Sequence, residues 1–368
     1  MSGGPPQPGG EALKLVFYFG EHDRHEGRFL ADAILDLFER RGLATSILLR
    51  GAEGFGGGRR LQTDRLLSLS EDLPLVAVAV DSRERIEAVA PELRTLAGDG
   101  LLTLERARFA ADGHRPIDEP HEEVKLTVYV GRRQRLGGAP AHLAVVAALH
   151  RYGVAGAAVL LGVDGTVRGE RRRASFLSAN AGVPAMVLAV GERERIAAAL
   201  EEIESTPEPP PATLEAIRVC KRDGRSLARP RPAPDGGAAE SAWTKLMVYC
   251  SERSEHDGRA LHLELIRRLR AEGAAGATAL RGVWGYHGDH APHGDRLLAL
   301  RRHVPVVTVV VDTPARSERW FEIADELTAE TGLLTAETVH AASALRCEDR
   351  DRDEPRKQQQ EGRSSDER

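Results

Sequence analysis

Three apolar runs, LPLVAVAV from Leu73, VPAMVLAV from Val183 and VPVVTVVV from Val304, interrupt an otherwise mixed chain. Each has the length of a strand, is bounded by proline or charge, and is apolar at successive rather than alternate positions. That is the pattern of a strand covered on both faces. Between such runs the period changes to that of a helix. Phe29, Leu30, Ala33, Ile34, Leu37 and Phe38 share one helical face and lead to Gly42, where a helix-ending glycine in the left-handed conformation is wanted. Ile86, Val89, Leu93 and Leu96 form a second stripe, in which Pro91 is expected to kink or shorten the helix. KLVFYF from Lys14, ATSILLR from Ala44 and LLTLERARF from Leu101 read as further strands.

These elements occur three times. KLVFY at Lys14 returns as KLTVY at Lys125 and KLMVY at Lys245. Glycines follow in step at Gly42, Gly153 and Gly273, at Gly51, Gly162 and Gly282, and at Gly54, Gly165 and Gly285. A proline opens each apolar run (Pro74, Pro184, Pro305), and each unit closes on a short strand: LLTLERARF, TLEAIRVC and LLTAETVHA. The order βαββαβ within each copy predicts α+β, ferredoxin-like units. The expected divisions are a flexible leader at 1–10, a first repeat at 11–110, a linker at 111–123, a second repeat at 124–220, a basic proline-containing linker at 221–243, a third repeat at 244–346 and a disordered charged tail at 347–368. Three copies and their linker lengths suggest one chain folded as an intramolecular pseudo-trimer and monomeric in solution, with three separate units on linkers as the alternative.

Composition narrows the function. With 368 residues, 41% hydrophobic and 29% charged, the chain reads as soluble globular material. Its apolar runs fall short of the roughly 20 residues that cross a bilayer, and its first residues lack the pattern of a signal peptide. A cytoplasmic location without membrane insertion is the expectation. A net charge of -5, with both signs interspersed, argues against nucleic acid as partner. Cys220, Cys250 and Cys347 make neither a disulfide framework nor a zinc pattern. No nucleophile elbow, Walker-type lysine, HExxH or cysteine pair is present, so an enzyme is not expected.

Candidate chemistry gathers in the glycine-rich segments. Arg50 precedes Gly51, Gly54 and Gly56, and Arg281 precedes Gly282, Gly285 and Gly288. Successive glycines let backbone N–H groups converge on an anion, and a guanidinium grips phosphate oxygens. An exposed strand connection with a solvated arginine gives the same letters. Glu21 and His25 in the first repeat align with Glu252 and His256 in the third, near a helix start, where they either face a cleft between repeats or cap the helix. The second repeat departs from this: Leu161 stands at the arginine position, Arg132, Leu136 and Gly137 replace the polar residues, and its basic residues come later, at Arg168, Arg171, Arg172 and Arg173. It reads as a scaffold or a regulatory variant. His287, His290 and His293 are spaced as zinc or copper ligands, or as an exposed polar loop. Lys14, Lys125 and Lys245 recur even in the divergent copy, which suggests a structural pairing across repeats.

The segments K-L-x-x-Y, ATALRGVWGYHG and DRLLALRRHVPVVTVVVD, and SILLRGAEGFGGG with DRLLSLSEDLPLVAVAVD in the first repeat, resemble the family numbered 190 among the domains of unknown function. Those proteins are similar to the PII regulators of nitrogen metabolism. The resemblance implies a trimeric arrangement with small effectors held between neighbours and a mobile loop after the second strand. It implies a regulatory protein that binds an anionic molecule, an adenine nucleotide foremost, and signals to a protein partner such as a membrane transporter or channel. Divalent-metal binding and a purely structural adaptor are the alternatives.

Overall fold

The computed structural model describes residues 11–56, 62–63, 73–96, 98, 100–110, 123–167, 170–171, 183–231, 242–287, 292–294 and 304–343. The first repeat supplies β1 (Glu11–Gly20), α1 (Leu30–Arg40), β2 (Thr45–Arg50), β3 (Glu53–Phe55), β4 (Pro74–Ser82), α2 (Arg83–Leu96) and β5 (Leu101–Phe109). The second supplies β6 (Glu123–Gly131), α3 (Ala141–Arg151), β7 (Gly156–Val167), β8 (Pro184–Glu192), α4 (Arg193–Glu204), β9 (Ala212–Ala216) and β10 (Arg218–Arg222). The third supplies β11 (Ala242–Ser251), α5 (Leu261–Ala271), β12 (Ala277–Arg281), β13 (Trp284–His287), β14 (Pro305–Asp312), α6 (Pro314–Leu327) and β15 (Leu333–Ser343). The first helix of each repeat ends as its pattern predicts, with Gly42, Gly153 and Gly273 at positive φ. Pro91 neither stops nor shortens α2; it stands on the exposed side, where the carbonyl that loses its donor can turn to water.

Strand pairing departs from the expectation. Ferredoxin-like units packed side by side as a pseudo-trimer would each keep a sheet of their own, whereas the strands here join into one sheet of 19. Within it a ring closes: β1 pairs β4, β4 pairs β2, β2 pairs β7, β7 pairs β8, β8 pairs β6, β6 pairs β9, β9 pairs β5, and β5 returns to β1, every pairing antiparallel. Strands β12, β14, β11 and β15 of the third repeat extend the same sheet through β12 to β3, β13 to β7, and β15 to both β5 and β10. The architecture is a closed antiparallel β-barrel with the six helices of the described residues packed on it. The reason lies in the edges. A separate four-stranded sheet leaves two rows of unpaired backbone groups, and closure gives them partners.

Closure also explains the apolar runs. Leu13, Leu15, Phe17, Leu75, Ala77 and Ala79 face α1 and α2 of their own repeat. The alternate residues Val16, Val76, Val78 and Val80 turn to a second core, shared with Met186 and Leu188 of the second repeat and Val307, Val309 and Val311 of the third. Both faces are buried, so neither face needs polar residues.

The expected linker at 221–243 is partly strand. Lys221 belongs to β10, is buried, and ion-pairs with Asp325 Oδ1 at 2.7 Å. Residues 1–10, 111–122, 232–241 and the tail from 344 lie outside the described residues.

Candidate functional site

Lysines on the inward face of a barrel need compensation, and they find it across repeats. Alternation along β1 turns Leu13 and Leu15 to the helices and Lys14 to the interior, where it reaches Glu215 at 2.5 Å and Thr127 at 3.2 Å. Lys125 reaches Glu337 at 2.6 Å and Glu215 at 3.1 Å; Lys245 reaches Glu105 at 2.8 Å and Glu337 at 3.1 Å. All six side chains are buried. Burial opposes the charge on Lys125 and Lys245, but the facing carboxylates outweigh it and hold both pKa values above the ordinary range. Lys14, with fewer carboxylates near it, is lowered by burial. Burial would raise Glu337, and Lys125 and Lys245 override it, bringing the carboxyl down to about 2. Sequence reading singled out the lysines and missed the glutamates. The signal was there: LTLE, ATLE and TAE place a carboxylate at the matching point of each closing strand.

The arginine and glycine positions are occupied with internal work. Arg50 donates to Glu21 from Nε at 2.9 Å and from an η nitrogen at 2.7 Å, and Arg281 Nε lies 2.9 Å from Glu252. Two sets of expected ligand residues are thus each other's partners. The second repeat has lost both ends of the pair together, to Leu161 and Arg132. Backbone donors of the loops are also spent: Gly51 N–H on Pro74 O, Ala52 on Ala279 O, Gly282 on Pro305 O and Val283 on Val159 O, all at 2.7–2.9 Å. A Cβ at Gly54, Gly165 or Gly285 would lie 2.5, 2.3 or 2.2 Å from a carbonyl oxygen of the neighbouring repeat. These glycines therefore admit a neighbour's backbone, where the sequence suggested a phosphate. At Gly56, half-buried, a side chain would meet nothing within 4 Å; Gly288 lies outside the described residues.

His25 and His256 sit in tight hairpins, His25 opposite Arg28 and His256 opposite Arg259. The next residues, Glu26 and Asp257, have φ of 48° and 49°, and the second repeat places Gly137 there at 55°. The polar-to-glycine change thus serves a turn that requires positive φ. Of the histidine series, His287 ends β13 and His293 pairs opposite Gly285, while His290 lies outside the described residues. Among the described residues no group of three His, Cys, Asp or Glu could hold a metal ion. Cys220 and Cys250 are buried thiols, both pushed up to about 12 by that burial.

The seams between repeats differ. At the first, Arg171 binds Asp36 at 2.6 Å and Glu39 at 3.1 Å on α1, and Asp164 at 3.1 Å on β7 of its own repeat. At the second, Tyr286 packs edge-on against His150, ring centroids 4.8 Å apart, and donates its hydroxyl to Val154 O at 3.0 Å. Beside this contact opens a cleft, continuous with solvent, with Leu188 and Val190 from the second repeat, Tyr249 and Leu333 from the third, and Arg222, Asp223 and His287 among its polar residues. Arg222 bonds Glu123 through an η nitrogen, and its buried Nε has no hydrogen-bond partner among the described residues. Sequence reading had assigned this arginine to a linker.

Comparison with known proteins adds the family. UPF0166 proteins of Aquifex aeolicus match at 30% identity over 95 residues, 26% of this chain and 88% of the relative, and at 34% over 79 residues, 22% and 81%. A UPF0166 protein of Methanocaldococcus jannaschii is 29% identical over 95 residues, 26% of this chain and 87% of the relative. Among solved structures, aspartate kinase from Synechocystis aligns at 11% identity over 91% of this chain and 46% of its own, with a TM-score of 0.22, too low to carry an argument. The model of one family, DUF190, described as "Uncharacterized ACR", matches residues 12–109, 123–219 and 243–341. With three matches that together span most of its length, the chain belongs to the DUF190 family.

Proposed function

We propose that this chain is a regulatory binding protein that takes an anionic small molecule, of the adenine-nucleotide class, in the cleft between its second and third repeats. The observation that supports this reading is Arg222: a guanidinium that bonds Glu123 through one η nitrogen and keeps a buried Nε without a hydrogen-bond partner among the described residues, at the edge of a mostly apolar cleft that Asp223 and His287 also line. Leu188, Val190 and Tyr249 suit a flat ring system, and a guanidinium suits a phosphate. The cleft adjoins β13, so an occupant would bear on the third repeat's hairpin, and the chain would signal to a protein partner by that route rather than by catalysis. The reading puts the ligand contact at Arg222 and His287 because they line the cleft and Arg50 and Arg281 do not; all three arginines carry an ion-pair partner, Glu123, Glu21 and Glu252 in turn.

Calorimetric titration with ATP, ADP and AMP tests it. The expected result is one saturable event per chain, weakened at least tenfold by Arg222→Ala and unchanged by Arg50→Ala. Absence of heat with all three nucleotides would remove the nucleotide reading. A metal role has less support. The adaptor reading loses part of its basic segment, because Lys221 and Arg222 are paired internally.

A further inference from the structure

Six ionisable side chains buried together in a barrel core call for an explanation beyond stability. A buried ion pair recovers little more than its desolvation cost, and apolar residues of similar volume often replace one without loss. What such a pair does supply is a penalty on wrong arrangements, since any geometry that separates the partners leaves a buried charge uncompensated. The arrangement here is cyclic. Each repeat contributes one lysine from its first strand and one glutamate from its last: Lys14 meets the glutamate of the second repeat, Lys125 that of the third, and Lys245 that of the first. The secondary contacts, Lys125 to Glu215 and Lys245 to Glu337, tie these pairs into one network. Thr127, Thr103 and Thr213 accept or donate at its margin.

The closing strands of the repeats also meet one another: β5 pairs β9 and β15, and β10 pairs β15. A missing repeat, an added one, or a strand slipped by one residue would leave at least one lysine or glutamate without its counterpart. A one-residue slip would also send the lysine to the helix side of the sheet.

We infer that the Lys14–Lys125–Lys245 and Glu105–Glu215–Glu337 ring is a closure lock. It restricts the barrel to three repeats in one register, so the partner that each repeat edge accepts is the neighbouring repeat and not a repeat added from a second copy of the chain.

The test is refolding of the full chain from denaturant, read by size-exclusion chromatography with light scattering and by far-ultraviolet circular dichroism. The wild type should return as a monomer. A variant with Lys14→Met, Lys125→Met, Lys245→Met, Glu105→Leu, Glu215→Leu and Glu337→Leu should regain its secondary structure, yet place at least tenfold more material in strand-exchanged oligomers. Refolding of that variant to monomer in the wild-type proportion would overturn the lock. Should the sixfold variant fail to regain structure, the pair Lys125→Met with Glu337→Leu decides. Excess oligomer supports the lock, and a pure monomer overturns it.

Discussion

The interior ring and the outer seams use charge in opposite ways. At the ring every repeat does the same thing: a lysine and a glutamate, buried and mutually neutralised. At two of the seams the side chains differ: a guanidinium held by three carboxylates between the first and second repeats, a tyrosine against a histidine and an open cleft between the second and third. Within one chain built from three copies, the lysine–glutamate contacts are kept in all three, and the side chains at these two seams are not. The same lesson covers the arginine–glycine words. Gly54, Gly165 and Gly285 recur because a neighbour's backbone passes within reach of where a Cβ would stand.

Changes at the ring should cost most. Lys125→Met leaves Glu215 and Glu337 short of a counter-charge and should destabilise the fold by about 3–5 kcal/mol, as for other broken buried pairs; chemical denaturation measures it. Next comes Gly285→Ala, whose new Cβ would lie 2.2 Å from Ala157 O. Because that contact is to backbone, a loss of about 2 kcal/mol is expected, with weakened pairing between β13 and β7 visible by hydrogen exchange. Arg171→Ala opens a partly buried seam and should cost about 1–2 kcal/mol. Arg50→Ala, at a side chain 45% exposed, should cost about 1 kcal/mol or less in the same assay. A seam variant that cost more than a ring variant would break the comparison.

The ring also sets a pH window. Glu337 titrates at about 2 in the folded protein against 4.5 for an unperturbed glutamate, so its contribution is present above 4.5 and fades as pH falls toward 2. Lys125 and Lys245 are raised above 10.5, so theirs is present below that value and fades as pH rises through the folded pKa. Melting temperature followed against pH should therefore fall below about 4.5 as Glu337 protonates and above about 10.5 as Lys125 and Lys245 lose their protons, while Lys14, lowered by burial, works the other way and costs stability as pH drops below 10.5.

Much of this was legible in the chain. The three copies, their helices, the glycine helix ends and the covered apolar strands follow from period and repetition alone. Strand partners did not follow, because βαββαβ order fixes the elements but not whose edge each one meets. The pairing of Lys14 with Glu215 spans two repeats, and nothing local marks it. Alternation places Lys14 opposite Leu13 and Leu15 across the strand, yet only closure of the sheet makes its side an interior. The arginines misled for the reverse reason: Arg50 and Glu21 were both visible, and their contact was not. Arg222 was hidden by composition, since a proline-containing basic stretch reads as linker even where it begins as strand.

Hydrogen exchange of the full chain with and without ATP tests the division between ring and seam most directly. The account predicts added protection confined to the second seam, at residues 155–158, 222–223 and 286–287, and none at residues 50–54. Protection centred on Arg50 and Arg281, or spread equally over the three repeats, would contradict it.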